Sequence, residues 1–86
     1  MPEVPRFFGI VITMHYNDHP PPHFHARYGG QKATVDIETL AILDGRLAPR
    51  VRGLVTEWGS RHRRELRENW RRLSAHAPLA RIEPLE

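Results

Sequence analysis

His23-Phe24-His25-Ala26-Arg27-Tyr28-Gly29-Gly30-Gln31-Lys32-Ala33-Thr34-Val35-Asp36 is the stretch that decides the fold of this 86-residue chain. Gly29-Gly30 supplies the positive φ angles of a two-residue hairpin turn, and strand-forming residues flank it on both sides. Folding about those glycines sets Tyr28 against Gln31, Arg27 against Lys32, Ala26 against Ala33, His25 against Thr34, Phe24 against Val35 and His23 against Asp36. Apolar meets apolar at Ala26/Ala33 and at Phe24/Val35, a match that a one-residue slip destroys. Alternation then gives a core face of Phe24, Ala26, Tyr28, Ala33, Val35 and Ile37, and an opposite face of His23, His25, Arg27, Thr34, Asp36 and Glu38.

Upstream, Asn17 to Pro22 reads as a loop, because three consecutive prolines lack ladder donors and favour polyproline II. Phe7 to Tyr16 reads as the first strand, with Ile10, Ile12, Met14 and Tyr16 on one face and Val11, Thr13 and His15 on the other. Downstream, Asp44-Gly45 is a second turn signal among Leu40, Ile42, Leu43 and Leu47, and predicts a short strand or small hairpin. Pro49 suits the first turn of a helix, and Val51, Leu54, Val55, Trp58, His62, Leu66 and Leu73 form its apolar stripe, with Trp70 at the stripe's edge. That helix runs from Pro49 to about Ala75, either continuous or broken at Gly59-Ser60. Unbroken it would reach roughly 40 Å at 1.5 Å per residue, so either it breaks or its far end packs on a partner. Ile82 and Leu85 are available to cover an edge of the core.

The expected architecture is therefore a two-layer α+β domain over residues 1–86. It has a three- to four-stranded, mainly antiparallel sheet and a C-terminal helix, long or broken near Gly59, packed on one face. A chain this short buries only about 60–65% of the surface its unfolded form exposes, which suffices for one sheet and one helical layer. Cysteine is absent, which excludes disulfides and thiolate metal sites. No apolar run approaches the ~20 residues of a membrane span and the N-terminus has no signal-like apolar core, so a cytoplasmic protein is expected. The net charge of +3 is unevenly spread: from Pro49 to Arg72 eight arginines stand against three glutamates. A basic stripe of this kind is either a solvated helix face or a contact for nucleic acid or an acidic partner.

Tyr16-Asn17-Asp18-His19-Pro20-Pro21-Pro22-His23-Phe24-His25-Ala26 resembles the signature of domain of unknown function 4160, a family of small bacterial proteins. Pro5 to Ile10, Asp36-Ile37-Glu38, Glu57-Trp58 and Asn69-Trp70 extend that resemblance along the chain. The resemblance implies a place in a toxin–antitoxin-like gene pair, beside a small cognate protein partner, and small basic toxins of such pairs are frequently ribonucleases.

Three readings of the histidine-rich face follow. In the first, RNA is bound or cleaved without a cofactor: His23 and His25 act as acid and base, Asp36 orients His23, and Arg27 contacts phosphate. His19 is a weaker substrate contact, and Arg63, Arg64, Arg67 and Arg71 share an outer helical arc that can assist capture. In the second, zinc or nickel binds at His19, His23 and His25, although the proline rod sets His19 and His23 about 12 Å apart unless an X-Pro bond is cis or the loop folds back. In the third, the histidine loop is a rigid brace or recognises a protein, and a homodimer through the C-terminal helix is one form of that. Trp58 and Trp70 are expected in the core or at a partner contact, and His62 as a hydrogen-bonded, half-buried residue.

Overall fold

The computed structural model describes residues 3–86. Five strands, β1 (Glu3–Phe7), β2 (Ile10–Thr13), β3 (His23–Tyr28), β4 (Gln31–Asp36) and β5 (Ile42–Gly45), lie side by side in chain order as one antiparallel sheet. Two helices follow, α1 (Pro49–Arg61) and α2 (Arg63–Ser74), giving an α+β fold. No helix of the described residues is long and apolar enough to cross a membrane.

All six pairs of the β3–β4 hairpin take the register expected from Gly29-Gly30. Phe24, Ala26, Ala33, Val35 and Ile37 are buried as its core face, whereas Tyr28, at the turn end of the hairpin, is 38% exposed. The sheet has five strands rather than three or four because the expected first strand is split, while the short strand expected near Asp44-Gly45 forms as β5. Phe8 (φ 49°) and Gly9 (φ 78°) both take positive φ and form a tight turn, so the expected strand from Phe7 to Tyr16 becomes the end of β1 and a shorter β2. The Asp44-Gly45 pair does not turn a hairpin of its own. It ends β5 on the edge of β4, where Gly45 has φ 80° and its Cα faces the Lys32 carbonyl too closely for any Cβ.

The helix does break, but at His62 (φ −122°, ψ 23°) and not at Gly59-Ser60. Gly59 is buried inside α1, where an added Cβ would lie 2.7 Å from Leu40 Cδ2, so the glycine permits close helix–sheet contact. The break explains how the helical segment fits: the longest dimension of the fold is 34 Å, less than an unbroken helix would need.

Trp58 sits at the centre of the core, fully buried, with its ring 5.7 Å from Phe7 and 5.6 Å from Phe24. Its Nε1–H donates to the Glu83 carbonyl at 2.8 Å, so the one polar atom of the ring is satisfied by the C-terminal tail. Asn69, also fully buried, ties down the same tail: Nδ2 donates to the Ala80 carbonyl (2.9 Å) and Oδ1 accepts from the Ala80 amide (2.8 Å). Those clamps hold Ile82 and Leu85 in the core, at the edge expected for them. His62 is half-buried as expected, its ring tilted against Trp58 at 5.6 Å and bonded through Nδ1 to Glu65 at 2.6 Å.

A histidine cluster around Asp18 as the candidate functional site

The second face of the sheet is open along one groove, and α2 reaches it only at the His23 end, where Trp70 packs on that ring. Alternation along β2 and β3 directs Thr13, His25 and Arg27 to it, and the chain leaving β2 brings His15 to the same side. Val11, Thr13, His15, His25, Arg27, Lys32, Thr34 and Asp44 line a groove of about 580 Å³ there. At one end of the groove the His15 and His25 rings stack, 4.0 Å between centroids and 18° from parallel.

The loop from Tyr16 to Pro22 turns back over this end. Asn17 takes a positive φ (67°), and the Pro20-Pro21 peptide bond is cis. The loop delivers Asp18, whose Oδ2 lies 3.0 Å from His25 Nε2 and 3.1 Å from His23 Nε2. His23 is buried against the Trp70 ring (5.1 Å), and its Nδ1 donates to the Pro21 carbonyl at 2.7 Å. His25 is the freer of the two. Its Nδ1 has only Thr34 Oγ1 nearby, at 3.5 Å on the groove side, and its ring is half-buried. His15 Nε2 meets Thr13 Oγ1 at 3.1 Å.

Electrostatics follow from this packing. Burial comes first in lowering the pKa of His15 below its usual 6.5; the neighbouring His25 and His23 add to that, and the opposing pull of Asp18 does not cancel it. For Asp18 the largest effect is burial, which raises its pKa, but the hydrogen bond from His25 and the positive character of His23, His25 and His15 together outweigh it. The Asp18 carboxyl is held below its ordinary value, as the ionised form.

Several residues singled out from the sequence therefore stand differently from expectation. Asp36 pairs with His23 along the backbone, but its carboxylate does not orient that ring: Oδ1 accepts the Glu38 and Thr39 amides at 2.7 and 2.9 Å and closes the turn after β4. Asp18 takes the place expected of Asp36; His23 lies beside His25 as expected, edge to face with 5.1 Å between ring centroids, and His15 stacks on His25 as well. His19 is exposed at the rim of a cavity it shares with His15, Asp18 and Trp70, and the donor atoms that converge within 4.8 Å of one another belong to His15, Asp18 and His25. Arg27 is exposed in the groove as expected.

The helical arginines are mostly engaged elsewhere. Arg63 donates to the Ile37 carbonyl (3.2 Å), Arg67 forks onto Glu38 (2.6 Å for both bonds), and Arg71 forks onto Glu68 (3.1 and 2.6 Å). Arg72 adds a third bond to Glu68, which with Arg71 holds that carboxyl down at about 2. Arg64 is exposed and has no such partner among the described residues.

Asp18 was legible in sequence only as a turn former, and Lys32 only as a hairpin residue. The available signal for Asp18 was its place beside His19, one step before the prolines that return the chain to β3.

Comparison with curated proteins and with solved structures gives no match. Residues 9–71, which contain the whole histidine loop, β2 to β5, α1 and most of α2, match the family model described as Domain of unknown function (DUF4160). The chain belongs to that family.

Proposed function

We propose that the protein binds RNA across the open sheet face and cleaves its backbone, as the small component of a toxin–antitoxin-like pair. The observation that carries this reading is the stacked His15–His25 pair, fixed from one side by Asp18, at the end of a groove that also holds Arg27 and Lys32. Two imidazoles a few ångströms apart, beside cations, are the equipment needed to move two protons around a phosphodiester.

His15 is the base and His25 the acid. Asp18 accepts from His25 Nε2 and balances the charge of its imidazolium, which leaves Nδ1–H for the groove side. In the step, His15 takes the proton of a ribose 2′-hydroxyl and the 2′-oxygen attacks phosphorus. The bond from phosphorus to the 5′-oxygen breaks, and His25 delivers its proton to that oxygen. The products are a 2′,3′-cyclic phosphate and a free 5′-hydroxyl. One proton is gained by His15 and one lost by His25, and exchange with water restores both. Arg27 and Lys32 hold the phosphate and stabilise the charge that develops on its oxygens.

The test is incubation of tag-free protein with a single-stranded RNA in the presence of a chelator, with the product ends identified by mass spectrometry. Cyclic phosphate ends that disappear with His25→Ala and with His15→Ala are the expected result. Intact RNA at high protein concentration, with a correctly folded protein, removes the reading.

A further inference from the structure

His23 exposes an inconsistency in the cluster that a proton or a cation must resolve. A carbonyl oxygen only accepts, so the 2.7 Å contact to Pro21 puts a proton on His23 Nδ1. In a neutral ring Nε2 then carries a lone pair, and that lone pair points at Asp18 Oδ2, 3.1 Å away. Something positive has to stand at that oxygen.

On the other side of the same carboxylate, His15 and His25 each offer a ring nitrogen, and one donor atom from each of His15, Asp18 and His25 lies within 4.8 Å of the other two. Ligands bound at ~2.0–2.2 Å around one ion are separated by distances of this order, so the three close on an ion with small side-chain movements. Two imidazoles and one carboxylate, without thiolate, suit a first-row divalent ion of the zinc class and not a hard ion such as calcium.

We propose that His15, Asp18 and His25 form a binding site for a divalent transition metal, with His23 facing the ligating carboxylate from its other side. His19 takes no part. The ion occupies the lone pairs that acid–base chemistry needs, so the metal-loaded protein does not cleave RNA. That consequence rests on the cleavage reading given above, whereas the binding itself does not.

The experiment uses the full chain without a tag, stripped with chelator and titrated with zinc by calorimetry, while the ring shifts of all six histidines are followed by NMR. One equivalent bound, with shifts at His15, His23 and His25 and none at His19, His62 or His76, is the expected result. Asp18→Asn and His25→Gln each lower the affinity by about 10- to 100-fold, with backbone amide spectra otherwise unchanged. No saturable binding, shifts centred on the other histidines, or undiminished affinity in Asp18→Asn overturns the site. Zinc-loaded protein that cleaves as fast as stripped protein overturns the inhibitory role. Stoichiometric zinc in a protein that never cleaves RNA, metal-free or loaded, defeats the cleavage reading alone and leaves the site standing.

Discussion

Nε2 of His25 lies 3.0 Å from Oδ2 of Asp18, although Asp18 precedes the strand that carries His25 and belongs to a loop seven residues earlier. One carboxylate thereby fixes the orientation of the ring on which His15 stacks. The two aspartates nearest the histidine motif, Asp18 and Asp36, do different work.

Exchanging those aspartates separates their roles. Removing a general acid or base costs about 10²- to 10⁴-fold in rate, so His25→Ala falls in that range in an RNA cleavage assay. Asp18→Asn, which leaves the ring in place without its charge partner, gives a smaller loss and changes the pH profile. Asp36→Asn leaves the cleavage rate unchanged and costs about 1 kcal/mol of stability, because its carboxylate only caps the turn after β4. Equal loss of activity in Asp18→Asn and Asp36→Asn contradicts the assignment.

Salt dependence distinguishes the groove from the helix. Each phosphate contact on single-stranded nucleic acid contributes about 0.7 to the slope of log affinity against log salt. Arg27→Ala and Lys32→Ala each lower that slope by about this amount in a binding titration. Arg67→Ala leaves it unchanged, since Arg67 is forked onto Glu38. The opposite order moves the RNA path from the sheet to the helices.

Glu68 provides a pH test that does not involve the cluster. The bonds from Arg71 and Arg72 hold its carboxyl down at about 2, against an ordinary 4.5. A depressed carboxylate stabilises the fold fully above the unfolded value and loses that contribution as pH falls through the folded one, here between about 4.5 and about 2. Carboxyl NMR during acid titration is expected to show Glu68 ionised at pH 3. Both Arg71→Gln and Arg72→Gln move its midpoint upward.

Gly45→Ala tests the edge of the sheet. The new methyl meets the Lys32 carbonyl, and the backbone sits at φ 80°, where a side chain alone costs about 1–3 kcal/mol. Denaturant unfolding is expected to show at least that loss. Gly53→Ala, in open space on α1, instead gains up to about 1 kcal/mol from helix propensity.

Asn69→Ala tests the tail clamp. It removes both bonds to the half-buried Ala80 backbone and lowers stability by about 1–3 kcal/mol. Loss of Trp58 burial, read by its fluorescence, accompanies the change if Glu83 is released from the indole.

The hairpin was legible because its register depends on local facts: a turn that accepts positive φ, and apolar residues whose period of two leaves only one good alignment. The turn at Phe8-Gly9 was not, since a phenylalanine at φ 49° inside a run of strand formers carries no local signal and is imposed by pairing of β1 with β2. The helix break was legible only to within a few residues. Gly59 stays helical, packed beneath Leu40, and the chain breaks three residues later at His62.

In the site, the motif announced the histidines, and chain alternation announced that His25 and Arg27 share a face. Sequence by itself thus determined the α+β class, the hairpin register, the apolar stripe of the helices and the concentration of imidazoles around a proline loop. Which carboxylate meets them was decided only in three dimensions. Asp18 and Asp36 are near-equal candidates by composition, and the loop's return over the end of β3 brings one of them to the rings. The other is drawn into the turn after β4 by two backbone amides that need an acceptor.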